Sequence, residues 1–515
     1  MTGKPIRFSD ILIRIIWILA LTAFGFVLIN GLFVSCRVNF QYSETNNEHV
    51  EFFQNTVPLL LLFLTTFLIA LTAAESLYVS ENTVRIGKII LGITVFSVSV
   101  FWIRESAPVP YADSKFCLDI ASMAASGVPV TLEDLDYLRL YPFQAGFVLY
   151  GEILFRMLGR YTLSGMWILN AAWLVLFDLA MIRISEELFG EPKITLLTEI
   201  LLLILAQPVF LSTFLYGTIP GSALGAAGMV FLIRFWKTDR IRWGIGAAVL
   251  LGLAVSLKLN LAVTAIAACL LLIIRILRRP AWKPVGILML IIFCAAAFPA
   301  LAKARYELLC GTGLGPGFPR TGHLLMGLSE SSMCSGWHNA NVPLVFIHSG
   351  YDAESANAAY LQEIGETVQH FLNRPRYLAS FFYHKLTSQW NTPSFQGIWS
   401  AAVSHDPHKV MPLAVSLFSG SGAEAAEHWF LGITTLVYAG FVGCLAAGIR
   451  RKETSEAGAL IPLMLFGYFL YYALFEAKAQ YVILTVPCMI PAAAFFWVRS
   501  AQGLRGWIRK KGERT

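Results

Sequence analysis

Asp113 is the residue of this sequence whose type and position most clearly suggest chemistry. It ends the segment Pro108–Asp113, which follows an apolar helix candidate at 88–103 and precedes a helical run towards Tyr141. A carboxylate kept beside a membrane is energetically costly, so such residues tend to be functional. A carboxylate can remove the proton of an acceptor hydroxyl as a general base. Asp113 could also cap the helix that follows it, and the residues alone favour that role.

Several basic residues could bind an anionic group such as a phosphate. Four of them lie near the outer ends of apolar segments: Lys258, Arg305, Lys385 and Lys478. Positioned Lys, Arg or amide donors stabilise the negative charge that develops on a leaving phosphate. Lys258 could equally reach the membrane surface without a ligand, and lipid headgroups also attract external basic residues. We favour Lys385 among the external ones, because it lies in an aromatic stretch at 377–390.

Two further acidic positions are candidates with weaker support. Asp119 follows Asp113 on a different side of the predicted helix, so we interpret it as a surface or supporting residue and as the second acid to consider. Glu476 lies close to Lys478 and Tyr481 just before the last apolar run. These three residues form either a structural pair or one end of a site at which Lys478 meets a phosphate.

Histidines and cysteines do not form a recognisable metal site. No HExxH motif occurs, and His405 and His408 are the only close histidine pair. We therefore expect no metal ligands and no cofactor, and dependence on a divalent metal stays open. Cys310 and Cys334 both fall in the predicted external part of the chain, where an oxidising setting would allow a disulfide.

The composition indicates a membrane protein. Of the residues, 57% are hydrophobic and 14% are charged, whereas soluble domains carry about 25% charged residues. The net charge of +7 comes from short basic clusters between apolar runs, which are typical of cytoplasmic loops. Nucleic acid is therefore not an expected partner.

Apolar runs predict the membrane spans. Crossing the hydrocarbon takes roughly 17 to 25 apolar residues. The sequence predicts about twelve spans, at 11–34, 57–74, 88–103, 162–182, 194–213, 221–236, 243–257, 260–277, 284–303, 428–448, 458–475 and 480–498. They define an all-α polytopic membrane protein with external juxtamembrane helices and one large external loop.

The apolar run Tyr141–Leu158 decides the topology. If it does not cross, the basic clusters from Lys4 and Arg7 to Lys510 and Lys511 all fall on one side. The positive-inside rule then predicts that both termini are cytoplasmic and that 141–158 lies along the outer surface or dips back into it.

This topology divides the chain into four regions. They are the N-terminal spans at 1–87, a transmembrane core at 88–303 with an acidic external loop at 104–161, an external loop region at 304–427, and the C-terminal spans with a basic cytoplasmic tail at 428–515. The external region has Gly/Pro-rich turns at 311–320, a helical stretch at 353–371 and an aromatic amphipathic stretch at 377–390. A loop this long usually has a function.

Patches of sequence along the chain resemble a known family. They are the Asp113 loop, the Tyr141-Pro142 turn into a run that ends at Leu158-Gly159, Gly252–Lys258, Arg376–Asn391, and Glu476–Tyr481 followed by Pro487. Their order and shared sidedness resemble the GT-C superfamily of membrane glycosyltransferases. Within it they are most similar to the bacterial family-39-like branch, which is related to protein O-mannosyltransferases and aminoarabinose transferases.

The resemblance implies a function and a set of roles. It implies a cell-membrane enzyme with an extracytoplasmic active site, which moves a hexose or pentose from a polyprenyl-phosphate donor to an envelope polymer, lipid or protein, with inversion. It reverses the preference at Asp113 from cap to base, with Asp119 as the second acid. The remaining implied roles are donor-phosphate or lipid binding for Lys258, Arg305, Lys385, Lys478 and Tyr481, and substrate positioning for Tyr141, Gln144 and Glu476.

The sequence differs from the family pattern at two places, and it allows one alternative function. Many members carry an acidic residue on the second external loop, whereas 214–221 has none, and Lys478 and Gln480 stand where arginines are common. The rival is a lipid or glycolipid flippase without glycosyl transfer. A transporter should place polar residues in mid-span at broken helices, whereas here they gather in external loops, so an enzyme is favoured.

Overall fold

A computed structural model describes residues 7–40 and 48–513 of the chain. Lys4, which belongs to the first predicted basic cluster, lies outside the described residues. The described part is almost entirely helical. Its longest helices are α1 (Phe8–Phe33), α3 (Glu81–Ser106), α7 (Thr162–Phe189), α13 (Trp282–Cys310) and α20 (Ser421–Arg450).

The remaining helices are shorter and complete the bundle and the region that covers one of its ends. They are α2 (Val57–Ala74), α4 (Ala112–Ser126), α5 (Asp136–Leu140), α6 (Ala145–Leu158), α8 (Pro192–Ile204), α9 (Gln207–Phe210), α10 (Thr218–Thr238), α11 (Ile241–Leu257), α12 (Ala262–Arg278), α14 (Arg320–Leu328), α15 (Asn341–His348), α16 (Ala353–Asn373), α17 (Pro375–Trp390), α18 (Trp399–Val403), α19 (Pro412–Ser419), α21 (Glu456–Leu474) and α22 (Ile490–Gly512). Short 3-10 turns link several of them, at Glu133–Leu135, Pro142–Gln144, Gly159–Tyr161, Leu211–Thr213, Leu259–Leu261, Ala479–Val482 and Val486–Met489.

The chain is a multi-pass membrane protein. Ten helical stretches in the described part are long and apolar enough to cross a bilayer. The predicted span at 194–213 corresponds to a pair of helical segments bent by 45°, Pro192–Ile204 and Gln207–Thr213, which would make an eleventh. The predicted span at 243–257 corresponds to α11, an apolar helix of 17 residues. At about 1.5 Å per residue, α11 is a little shorter than the hydrocarbon is thick.

The run Tyr141–Leu158 does not continue straight into α7. By length and apolarity alone, Pro142–Phe189 would count as one stretch of 48 residues. However, Trp173 Nε1 donates to Tyr150 Oη at 3.2 Å, and residues 23 positions apart on one straight helix would be about 35 Å apart. The turn at Gly159–Tyr161 therefore folds α6 back against α7. That 141–158 does not cross the membrane stays a prediction.

A two-stranded hairpin is the exception to the predicted all-α fold. Strands β1 (Val34–Phe40) and β2 (Glu48–Gln54) are antiparallel, with Val34 opposite Gln54 and Phe40 opposite Glu48. Cys36 and Val50 turn to the same side and pack with the buried Trp337. The alternation of inward- and outward-facing residues in these two strands is too short to stand out beside the long apolar runs on either side. The sequence therefore did not reveal the hairpin. The hairpin carries Glu48 to Gln396, within residues 304–427.

Residues 304–427 are well packed on the bundle. The helical stretches predicted at 353–371 and 377–390 are confirmed as α16 and α17. The end of α17 is buried in the bundle core, where the Trp390 and Phe24 rings meet edge-to-face with centroids 5.3 Å apart. Cys310 and Cys334 are both unpaired.

Candidate active site

A cavity of about 690 Å³ lies where α4, α6, α11 and the segment after α21 converge. Seven of the predicted site residues line it: Asp113, Tyr141, Gln144, Lys258, Glu476, Lys478 and Tyr481. The cavity thus brings together the predicted base Asp113 and the predicted phosphate ligands Lys258, Lys478 and Tyr481, from three separate parts of the chain. Its size is that of a small-molecule site.

Asp113 is not at the capping position of α4. The helix begins at Ala112 and its N-cap residue is Tyr111, which places Asp113 in the first turn. Ala112 has a φ of 49°, a left-handed conformation that is unfavourable for alanine. Ser114 Oγ fixes this turn by donating to the Leu215 carbonyl at 2.7 Å. The backbone around Asp113 is therefore held in a strained geometry by its surroundings.

The Asp113 carboxyl is open to the cavity and yet enclosed by protein walls. This enclosure raises the pKa of Asp113 above its ordinary value, because burial disfavours the charged form. Nearby Lys258 opposes the shift, and Glu476 adds to it. A carboxylate with a raised pKa is a stronger proton acceptor, as a general base requires.

Lys258 lies directly after α11 and faces Asp113. Its Nζ is 4.1 Å from the centroid of the Tyr216 ring and 5.8 Å from that of Tyr481. Burial lowers the pKa of Lys258 to about 8, although Asp113 and Glu476 both stabilise its charge. Gly217 allows this arrangement, because a Cβ there would collide with the Leu257 carbonyl. An aromatic cage thus holds a lysine whose charge is only partly neutralised.

Lys478 is paired with a carboxylate that sequence reasoning missed. Its Nζ is 2.8 Å from Glu48 Oε1, and Gln396 Nε2 donates to the other oxygen at 3.0 Å. The same Nζ lies 4.3 Å from the centroid of the Trp399 ring. Glu48 comes from β2, so the hairpin brings a further carboxylate to the cavity. No motif around residue 48 could have indicated this, because the contact depends on tertiary packing.

The remaining cavity wall is aromatic and amide-rich. Gln144 Nε2 donates to the Tyr216 hydroxyl, and the Tyr481 hydroxyl donates to Glu476 Oε1 at 2.7 Å. Tyr141 packs against His323, with ring centroids 6.4 Å apart. Rings and amides of this kind suit a polyhydroxylated ligand, which presents both apolar faces and hydrogen-bonding groups.

Three predicted site residues lie outside the cavity. Asp119 is exposed and pairs with Lys115 on the same helix. Arg305 pairs with Glu152 at 2.8 Å. The preference for Lys385 as a phosphate ligand does not agree with its position: it is fully buried, and its Nζ donates to the carbonyls of Gly327, Ala473 and Phe475.

Lys385 has a structural role that explains its burial. The carbonyl of Phe475 accepts from its Nζ at 2.8 Å and that of Ala473 at 3.0 Å. These bonds fix the chain directly before Glu476. The aromatic, amphipathic pattern around Lys385 indicated an interface residue, but it could not show which way the lysine points.

Within residues 7–40 and 48–513, no group of three His, Cys, Asp or Glu side chains is arranged to hold a metal ion. His323 and His338 line the cavity. Burial lowers the pKa of His323, because it disfavours the charged imidazolium.

Comparison with solved structures gives distant similarities. The chain is similar to the archaeal oligosaccharyltransferase AglB from Archaeoglobus fulgidus in complex with an inhibitory peptide and a dolichol-phosphate, at 11% identity, a TM-score of 0.39, and coverage of 79% of this chain and 50% of that one. A second structure of the A. fulgidus oligosaccharyltransferase, tethered to an acceptor peptide, is similar at 11% identity and a TM-score of 0.38, with coverage of 79% of this chain and 49% of that one. The chain thus spans about half the length of these proteins.

ArnT from Cupriavidus metallidurans, bound to undecaprenyl phosphate, is similar at 15% identity and a TM-score of 0.31, over 81% of this chain and 77% of that one. No protein-family model matches the sequence. No curated protein matches it either.

Proposed function

We propose that this protein is a membrane glycosyltransferase that moves a sugar from a polyprenyl-phosphate donor to a cell-envelope acceptor. The observation that carries the proposal is the convergence of Asp113, Lys258, Glu476 and Lys478 on one cavity at the ends of membrane helices. A carboxylate poised as a base beside two lysines matches the needs of transfer from a phosphate-linked sugar.

The proposed reaction uses these groups in one displacement. Asp113 accepts the proton of the acceptor hydroxyl as the oxygen attacks the anomeric carbon of the sugar. The bond from that carbon to the phosphate oxygen breaks, and its electron pair leaves with the phosphate. Attack opposite to the leaving group inverts the anomeric centre.

Lys258 is the better placed of the two lysines to meet the leaving phosphate. Its side chain has aromatic neighbours and no carboxylate within ion-pair distance among the described residues. A phosphate would therefore complete its interactions. Lys478 is already bound to Glu48, so its contribution would require a phosphate to share it with this carboxylate. We infer that Glu476 and Tyr481, which bond to each other, orient the sugar.

The location at the ends of the spans supports a lipid-linked donor. The cavity includes Thr218 at the start of α10 and Lys258 directly after α11. A phosphate at the membrane surface would reach these residues while its prenyl chain stayed in the bilayer. We infer from the positive-inside rule that this face lies outside the cytoplasm.

Mass spectrometry of envelope glycans and lipids from cells with and without this gene tests the proposal. We expect deletion to remove one hexose or pentose substituent from an envelope component and to leave its carrier unmodified. A deletion that leaves every envelope glycan unchanged, and alters only the distribution of a lipid between the two leaflets, would favour the flippase and reject the transferase.

A further inference from the structure

A second cavity, of about 530 Å³, lies at the other end of the helix bundle. Helix α10 shows the relation between the two cavities, because Thr218 at its start lines the candidate active site and Lys237 near its end lines the second cavity. The two residues are about 28 Å apart along the helix. The second cavity shares no lining residue with the first.

One wall of this cavity is aromatic. The rings of Phe189 and Phe495 stack with centroids 4.6 Å apart and an interplanar angle of 15°. Trp17 and Trp236 also line the cavity, and Gly448 leaves the room that the Trp17 ring occupies. Aromatic side chains of this kind are typical of the zone where a membrane meets water.

Basic groups stand beside the aromatic wall. Lys237, Arg275 and Arg451 line the cavity. The Arg451 guanidinium lies 5.6 Å from the centroid of the Phe495 ring and makes no ion pair with any residue in 7–40 or 48–513. Arg451 is exposed, so a ligand could reach it.

Acidic residues also line the cavity, but they are already engaged. Glu187 accepts from Arg234 at 2.9 Å, and Glu456 accepts from Arg278 at 3.0 Å. Glu453 accepts from the backbone N–H of Ser455 at 2.8 Å. Glu187 and Glu456 are thus neutralised by basic partners. Glu453 keeps its charge but makes no ion pair with Arg451, so the Arg451 guanidinium is available to an anionic ligand.

We propose that this second cavity binds the phosphate headgroup of an anionic membrane lipid, with Arg451 as the main contact and the acyl chains against the aromatic wall. The volume falls within the range of small-molecule sites. Free phosphate shares the charge of the headgroup but would leave the aromatic wall uncovered. The site is separate from the proposed glycosyl transfer and does not depend on it.

Lipid binding to the purified, delipidated full-length protein tests this site. Native mass spectrometry would follow titrations with phosphatidylglycerol, phosphatidylcholine and inorganic phosphate. We expect phosphatidylglycerol to bind most tightly, and Arg451→Gln to weaken its binding roughly tenfold, as the loss of one charge-assisted hydrogen bond would. Arg450→Gln is the matched control, because Arg450 is the exposed neighbouring arginine and does not line the cavity.

A second variant tests the aromatic side of the cavity without changing its charge. Ala492→Phe adds volume at a lining position and should also weaken phosphatidylglycerol binding, with an unchanged melting curve for the free protein. Equal binding of the two lipids, equal effects of the Arg450 and Arg451 variants, or inorganic phosphate binding as tightly as phosphatidylglycerol would each overturn the assignment. None of these outcomes depends on sugar transfer.

Discussion

Asp113 and Lys258 face each other across the cavity with pKa values displaced in opposite directions. Enclosure raises the pKa of the carboxyl and lowers that of the lysine, so that both move towards neutral pH. Pairs of titratable groups tuned in this way are characteristic of acid–base sites. The same two side chains could form only a weak ion pair if both were solvated.

The pH dependence of transfer should reveal the charge state of Lys258. A protonated lysine stabilises a leaving phosphate, and burial lowers the pKa of Lys258 to about 8. The rate should therefore fall as the pH rises through about 8. Lys258→Arg keeps the charge, because arginine stays protonated, so its profile should lack this alkaline decline. An identical decline in the variant would show that another group causes the fall in rate at alkaline pH.

Glu48 should act through Lys478 rather than on the substrate. Glu48→Gln keeps the size of the side chain but removes the charge that aligns Lys478. We expect the KM for the donor to rise about tenfold, in line with the loss of one charge-assisted hydrogen bond, with little change in kcat. Glu51→Gln on the same strand is exposed and serves as the control. Equal kinetics for the two variants would contradict a role for Glu48.

Lys385 joins helix α17 to the segment after α21. Its ammonium group donates to the backbone carbonyls of Gly327, Ala473 and Phe475. A buried ammonium that satisfies several backbone acceptors links distant elements because each acceptor would otherwise stay unpaired. Glu476 follows directly, so the geometry of the cavity depends on this link between elements.

Lys385→Met should therefore destabilise the protein. Methionine fills similar space but leaves the three carbonyls without a donor, and the free energy of unfolding should fall by about 3 kcal/mol or more. Thermal unfolding of the purified protein measures this change. Lys409→Met, which removes a side chain that is 76% exposed, should leave the melting temperature unchanged. A Lys385→Met variant that loses sugar transfer but keeps its stability would instead support Lys385 as a phosphate ligand.

At the scale of elements, the sequence predicted helices better than contacts. The span ends that carry Asp113, Lys258 and Lys478 were predicted to share one side, and residues at such ends can meet once the helices pack. The hairpin that carries Glu48 was not predicted, because two short strands acquire their pairing from tertiary packing. Charges inside the bundle were also missed: Asp178 in α7 and Glu199 in α8 are buried in segments expected to be poor in charge.

The whole molecule has its two cavities at opposite ends of one helical bundle. The positive-inside rule predicts that the end with Asp113 faces away from the cytoplasm. The prediction follows from the basic clusters, which agree only if 141–158 does not cross.

Cysteine labelling should establish which end is outside. Single cysteines at the exposed positions Ser126, Ala358 and Ala281, in a background without native cysteines, would be treated with an impermeant reagent in intact cells. Ser126→Cys and Ala358→Cys should label, whereas Ala281→Cys should label only after the cells are broken. Labelling of Ala281→Cys in intact cells would invert the topology and exclude an extracytoplasmic donor.

The most direct test of the account is sugar transfer by Asp113→Asn in membrane vesicles supplied with a labelled polyprenyl-phosphate sugar. Asparagine keeps the size of the side chain but cannot accept the proton. We predict a folded protein whose transfer rate falls roughly a hundred- to ten-thousand-fold, as expected when a general base is lost. Asp119→Asn, at an exposed position, should keep nearly normal transfer. An Asp113→Asn variant that retains most of the wild-type rate would contradict the central claim that Asp113 is the catalytic base.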